Sequence, residues 1–356
     1  MDLSRYVKGS IQQMTGYPAP PLEKVAAKLN QNENPFDLPV DIKRELAEKL
    51  LNVPWNRYPK AEPSELRHKL SRWIAVPAES ILLGNGSNQL YQTLVSTVLR
   101  GDDKLVYCPP TFSLYEIFGR IYETKLIPVP LDERFDFPLK DLLETCRREK
   151  PALTVLCSPN NPTGSEVELD FVRRLCRESA GLVFWDEAYA EFSRQNALTL
   201  LSECENLIIS RTFSKACSMA GLRLGYLIGH PQLIAEIRKV NLPFSINSLT
   251  ETVALALLDH QPWIEQNVRY LVRERDWMYG QLSMIEKIKV YPSQANFFLI
   301  HVPDALSVIA HLREQGIAVR NIGGSDLRLH DHFRVSVSLH EENQLFIRAL
   351  TNWVKK

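Results

Sequence analysis

Short, unbroken apolar runs recur along the chain: Ile81-Leu82-Leu83, then residues 104–108, 125–129, 152–157, 182–185 and 207–210. Runs of this length that do not alternate with polar residues predict strands covered on both faces. Between them lie stretches of helical periodicity at residues 64–75, at about 88–99 and from about Thr111. Strands separated by helices predict a mainly parallel sheet between helical layers, an α/β architecture. The pattern changes after about Ser248. A long helical stretch leads to Gln294, followed by a strand at 297–301 and a helix at about 305–315. Strands at 317–320 and 333–338 and a closing helix complete a smaller α+β unit. Residues 1–40 contain Pro18, Pro20, Pro21 and Pro35 and predict an irregular arm. The expected division is an arm at 1–40, a large domain at 41–247 and a small domain at 248–356. The hinge falls near Pro243 and Asn247.

Composition narrows the function classes. Lysine plus arginine and aspartate plus glutamate are 42 each in 356 residues, which leaves no net field for nucleic acid or an anionic membrane. No apolar stretch approaches a membrane span, and Met1–Met14 lacks the apolar run of a signal peptide. The expected setting is the cytoplasm. The six cysteines form no Cys-x-x-Cys and sit at no metal-ligand spacing, so no metal is expected. Cys217 lies close to Lys215, which leaves reactivity and packing both open there, with packing the weightier.

The chemistry gathers where the predicted strands end, the place where open α/β sheets bind ligands. Gly84-Asn85-Gly86-Ser87-Asn88 follows one strand and opens a helix, a setting that suits an anion. Phe112, after the next strand, suits stacking on a ring. Asn160 and Asn161 stand in a proline-bounded turn that fixes an amide. Asp186 ends a buried strand, where a carboxylate needs a partner such as a protonated pyridine nitrogen. Tyr189 lies three residues on. Lys215 follows Thr212 and Ser214 and precedes Arg223. That grouping suits a lysine Schiff base with an aldehyde cofactor such as pyridoxal phosphate, beside groups that hold its phosphate. Each feature alone has a plainer reading: a turn, a core phenylalanine, a helix N-cap, a solvated loop. Their joint order along one sheet is what carries specificity.

At these residues the chain resembles the fold-type I, pyridoxal-phosphate-dependent aminotransferases of the class I/II superfamily, over nearly its whole length. Within that superfamily it is most similar to the histidinol-phosphate aminotransferases. The likeness rests on Asn32-Glu33-Asn34-Pro35, Arg57-Tyr58-Pro59, the glycine loop at 84–88 and Asn160-Asn161-Pro162-Thr163-Gly164. Asp186-Glu187-Ala188-Tyr189, the segment 211–216, the segment 220–226 and Phe333-Arg334-Val335 complete it. Cys217 stands where a phenylalanine is usual, Asn88 where an acidic residue is often seen, and Phe112 where a tyrosine is common.

The resemblance implies a large domain with a mainly parallel seven-stranded sheet between helices, plus a smaller α+β domain against which the arm packs. It implies that Lys215 binds the cofactor and moves the substrate proton, and that Asp186 pairs with the ring nitrogen. Asn161 and Tyr189 would hold the ring oxygen, and Phe112 would stack on the ring. Gly86, Ser87, Thr212, Ser214 and Arg223 would hold the cofactor phosphate, and Asn88 would be a further cofactor contact. Tyr58 would reach the neighbouring subunit's cofactor, making a homodimer. Arg334 would bind the substrate's acidic group, with Arg320 as a second cation. Tyr17 is a candidate active-site contact, with packing of the arm its equal alternative. The implied reaction moves an amino group reversibly between L-histidinol phosphate and 2-oxoglutarate, giving imidazole-acetol phosphate and L-glutamate. An aromatic or general amino-acid aminotransferase, a threonine-phosphate decarboxylase and a non-catalytic ligand sensor are the alternatives.

Overall fold

The computed structural model describes residues 3–14, 16, 25–324 and 326–355. The first strand, β1 (Ala27–Lys28), is not part of the main sheet. The main sheet comprises β2 (Ile81–Gly84), β3 (Lys104–Tyr107), β4 (Lys125–Pro128), β5 (Leu153–Cys157), β6 (Leu182–Asp186), β7 (Leu207–Thr212) and β8 (Gly225–Gly229). Their order is β2-β8-β7-β6-β5-β3-β4. All neighbours are parallel except β8, which runs antiparallel to both β2 and β7. The strands β2, β5, β7 and β8 are buried at every position, including the polar residues Thr154, Ser210, Arg211 and Thr212.

Because β8 alone is reversed, β2 runs in the same direction as β7. The ends of β2, β3, β5, β6 and β7 that lead into the chemically active loops therefore share one edge. Six of the seven strands correspond to the apolar runs. The seventh, β8, does not: its five residues are bounded by Gly225 and Gly229 and were legible only as part of a glycine-containing motif.

A second sheet holds β9 (Lys289–Val290), β10 (Phe297–His301), β12 (Arg320–Asn321) and β13 (His332–Ser336), in the order β12-β13-β10-β9, all antiparallel. The expected strand at 317–320 is two strands in two sheets. β11 (Ile317–Ala318) pairs in parallel with β1, whereas Arg320 and Asn321 belong to β12. The predicted long helix after Ser248 is also two helices, Ser248–Leu257 and Gln261–Leu282. The break falls at His260, and Pro262 sits in the first turn of the second helix, where its missing N–H costs nothing. The arm is not wholly irregular, since Ser4–Tyr6 and Gly9–Gln12 are short helical turns. No helix among the described residues is long and apolar enough to cross a membrane.

Candidate active site

A cavity of about 210 Å³ opens at the shared strand edge. Ser87, Asn88, Phe112, Asn161, Asp186, Tyr189, Thr212, Ser214, Lys215, Arg223, Arg320 and Arg334 all line it. Of the remaining candidates, Gly86 is next to it, Tyr58 is not part of its lining, and Tyr17 lies outside the described residues.

One end of the cavity is built to hold an anion. The helix Gly86–Val98 starts there, and the first N–H groups of a helix have no partner within it. Arg223 donates from Nη1 to Ser214 Oγ at 3.1 Å and to the Ala220 carbonyl at 3.0 Å. Thr212 Oγ1 accepts the Ser214 N–H at 3.1 Å, which folds the hydroxyl pair into one turn. Two glycines make the approach possible. Gly86 has φ +79°, and a Cβ there would lie 2.7 Å from Arg223 Nη2. A Cβ on Gly225 would lie 2.4 Å from the Ser87 amide nitrogen. Larger residues at either point would drive the arginine or the helix terminus away.

Lys215 lines the same cavity. It is half-buried, and Nζ donates to the Gln31 carbonyl at 2.8 Å. Burial lowers its pKa to about 7; Arg334 and Arg223 push the same way, and Glu33 opposes them. An amine of this kind is a usable base and nucleophile near neutral pH.

Asp186 lines the cavity from the end of β6. It is buried, and its hydrogen-bond partners are neutral: the Tyr115 hydroxyl at 2.7 Å on Oδ2 and the Ala188 amide at 3.1 Å on Oδ1. Burial pushes its pKa up to about 6. No helix begins at Asp186, so the N-cap alternative does not apply. A buried carboxylate with no cationic partner among the described residues suits a protonated ring nitrogen, and the anion cradle suits a phosphate. The donor set therefore fits pyridoxal phosphate, with Lys215 in the same cavity.

The third wall carries cations. Arg334 donates from Nη1 to Asn161 Oδ1 at 2.5 Å and from Nη2 to the Asn30 carbonyl at 3.0 Å. Its guanidinium lies 5.3 Å from the Phe297 ring centre. With Asn161 Oδ1 engaged by a guanidinium, the amide presents Nδ2 as a donor. Asn160 plays a different part. It ties the loops together through Thr111, the Pro110 carbonyl and Thr163. Tyr189 Oη accepts from Asn32 Nδ2 at 3.0 Å, and burial pushes its pKa up to about 12.

Several residues here were not found by sequence reasoning. Tyr115 was hidden because a tyrosine three residues after Phe112 reads as helix core. Asn30 and Gln31 act through backbone carbonyls, which no side-chain pattern announces. Glu187 and Arg211 form a buried ion pair at 2.7 Å behind the site, joining the ends of β6 and β7. An acid and an arginine inside quoted motifs were the available signal. Cys217 is buried, and burial holds its thiol well above the usual range, which argues for packing. Tyr58 is 84% exposed and stacks on Phe244 at 4.9 Å.

This layered fold, with a half-buried lysine sharing one cavity with an anion cradle and a buried carboxylate, is the arrangement of the aminotransferases. The chain belongs to the family described as aminotransferase class I and II, whose model matches residues 25–350. It is 38% identical over 350 residues to the histidinol-phosphate aminotransferase of Chlorobium phaeovibrioides, covering 98% of this chain and 97% of that protein. It is 37% identical to the enzyme of the same name from Prosthecochloris aestuarii, covering 98% of each. Its fold matches the histidinol-phosphate aminotransferase of Sinorhizobium meliloti in complex with pyridoxal-5'-phosphate. The TM-score is 0.87 at 23% identity, over 99% of this chain and 98% of that one. L-threonine-O-3-phosphate decarboxylase from Porphyromonas gingivalis shares the fold too, with a TM-score of 0.80 at 22% identity, over 93% of this chain and 100% of that one. The fold is that of a fold-type I aminotransferase.

Proposed function

We propose that this enzyme transfers an amino group reversibly between L-histidinol phosphate and 2-oxoglutarate, using pyridoxal 5'-phosphate. The name shared by relatives at 35–38% identity across almost the whole chain supports the substrate. The observation in the structure that carries it is the pair Arg320 and Arg334 beside Lys215. One substrate of this reaction presents a phosphate and the other a carboxylate, and a guanidinium grips either through paired N–H groups.

Lys215, Asp186, Tyr189, Asn161 and Phe112 would hold the cofactor's reactive carbon, ring nitrogen, ring oxygen and ring face. Ser87, Asn88, Thr212, Ser214, Arg223 and the backbone at Gly86 would hold its phosphate. When bound, pyridoxal phosphate supplies a carbonyl that takes up amino groups and a ring that withdraws electrons from the substrate's Cα. Asp186 keeps the ring nitrogen protonated through charge pairing. Lys215, neutral above about pH 7, takes the Cα proton and hands it on. Arg334, braced by Asn161 and the Asn30 carbonyl, orients the acidic end of each substrate.

The working unit in this proposal is a cytoplasmic homodimer. Tyr58 supports it, being exposed and away from its own chain's cavity, where a neighbouring subunit could use it. We also assign residues 41–247 and 248–356 to separate large and small domains. The arm at 1–40 joins the small one, a division supported by the Ala27–Ile317 pairing.

The test is a panel of amino donors with 2-oxoglutarate: histidinol phosphate, phenylalanine, tyrosine and aspartate, with threonine phosphate assayed for decarboxylation. The highest kcat/KM is expected for histidinol phosphate. A preference for tyrosine or phenylalanine, or carbon dioxide release from threonine phosphate, would replace this assignment.

A further inference from the structure

Phe112 accounts for one face of the cavity, but the aromatic residue next along the helix Leu114–Ile121 has a different job. Tyr115 is 1% exposed and donates its hydroxyl to Asp186 Oδ2 at 2.7 Å. Its ring is wedged edge-on against Tyr91 at 5.2 Å, Phe112 at 5.8 Å and Phe184 at 6.5 Å. The phenol therefore reaches the carboxylate from a fixed direction. The second carboxylate oxygen receives the Ala188 amide. Together the two donors fix the rotation of the carboxylate about its last bond.

We propose that Tyr115 is a positioning residue for Asp186: its phenol holds the carboxylate in one orientation and in its charged form, ready for a protonated ring nitrogen. This rests on the pyridoxal-phosphate assignment of the cavity. The physical reason is the cost of a buried charge. A desolvated carboxylate drifts toward its neutral form, and a neutral acid cannot pair with a cationic ring nitrogen. A hydrogen bond given to the carboxylate opposes that drift. Burial holds the phenol's own proton firmly, so Tyr115 acts toward Asp186 as a donor.

The neighbouring Tyr91 supplies an internal control. It is buried in the same aromatic cluster, 5.2 Å from Tyr115 and 5.0 Å from Phe184. Its hydroxyl has no hydrogen-bond partner among the described residues. Replacing either tyrosine by phenylalanine removes one oxygen from one packed cluster. Only at Tyr115 does that oxygen contact the carboxylate.

The experiment titrates the full-length chain, stripped of cofactor, with pyridoxal 5'-phosphate and with its 1-deaza analogue, in which carbon replaces the ring nitrogen. Fluorescence of Trp185, adjacent to Asp186 in sequence, reports binding, and circular dichroism checks that each variant is folded. Tyr115→Phe is expected to bind pyridoxal phosphate about tenfold more weakly than wild type, the size of a hydrogen bond to a charged group. Tyr91→Phe should match wild type. With the deaza analogue, wild type and Tyr115→Phe should bind alike, because there is no ring nitrogen left for Asp186 to meet. Unchanged affinity of Tyr115→Phe for pyridoxal phosphate overturns the proposal. An equal loss with both ligands also overturns it, since that would be a packing effect. Failure of the wild-type chain itself to bind pyridoxal phosphate is a separate result that removes the cofactor assignment and this proposal with it.

Discussion

Arg320 and Arg334 are register partners across the β12–β13 ladder, so both side chains leave the sheet on one face, and both line the cavity. Two cations facing each other across a ladder repel, and an anion between them relieves the repulsion. Arg334 is the more deeply held, through Asn161 and the Asn30 carbonyl. Removing one partner of a buried charge pair costs roughly 2–5 kcal/mol. Arg334→Ala should therefore lower kcat/KM by about two to three powers of ten. The loss should appear in single turnover with histidinol phosphate and again with glutamate. Arg334→Lys should recover only part of it, because an ammonium cannot make the paired planar contact. Collapse of the glutamate half alone would place the phosphate elsewhere, with Arg320 next to test.

Lys215 yields a pH prediction. Its folded pKa is about 7, below its ordinary 10.5, so the amine is charged below that point and neutral above it. In cofactor-free protein, labelling of Lys215 by an amine-reactive probe should rise with a midpoint near pH 7. The unfolded chain binds more protons than the folded one between about 7 and 10.5, so this group makes stability rise with pH across that window. Lys215→Met should flatten the rise in urea titrations of the cofactor-free protein. In the loaded enzyme, borohydride should attach the cofactor at Lys215, and Lys215→Ala should fold but lose turnover.

The Glu187–Arg211 pair predicts a large stability effect without substrate contact. Both residues are below 10% exposed, and Arg211 also donates to Asn196 Oδ1. Glu187→Gln strands a buried guanidinium and should cost about 3–5 kcal/mol in urea unfolding. Replacing both partners with apolar residues of similar volume should cost less than that single change.

Tyr58 predicts complementation between chains. A Lys215→Ala chain mixed with a Tyr58→Phe chain should form heterodimers. One site of each heterodimer then joins an intact Lys215 to an intact Tyr58 and should regain wild-type cofactor affinity. Absence of any regain, in a mixture shown to exchange subunits, would remove Tyr58 from the neighbouring site.

Much of the main sheet could be read in advance, because its strands are buried on both faces and have little polar interruption. Lys215 and Asp186 could be read because a lysine among hydroxyls with an arginine downstream, and a carboxylate ending a buried strand, fall in one order along the same sheet. Residues that act through their surroundings stayed hidden. Tyr115 resembles any core tyrosine until its hydroxyl is seen against Asp186. Strand β8 hides between two glycines, and Pro262 restarts a helix where the periodicity continues. Arg320 was assigned to one strand with Ile317 because nothing in four residues marks a change of sheet.

The segment from Asn30 to Asn32 meets Arg334 with one carbonyl, Lys215 with the next and Tyr189 with a side-chain amide. At its two ends the chain is fastened to other parts, Ala27 to Ile317 and Asn34 to the Ala216 carbonyl. Two of the three contacts do not depend on which side chain the residue carries. Spelling can drift at those positions, but spacing cannot. A single inserted or deleted residue would displace a carbonyl by up to roughly 3.6 Å, enough to break the contact with Lys215 or with Arg334. Over this stretch, length is under tighter constraint than identity.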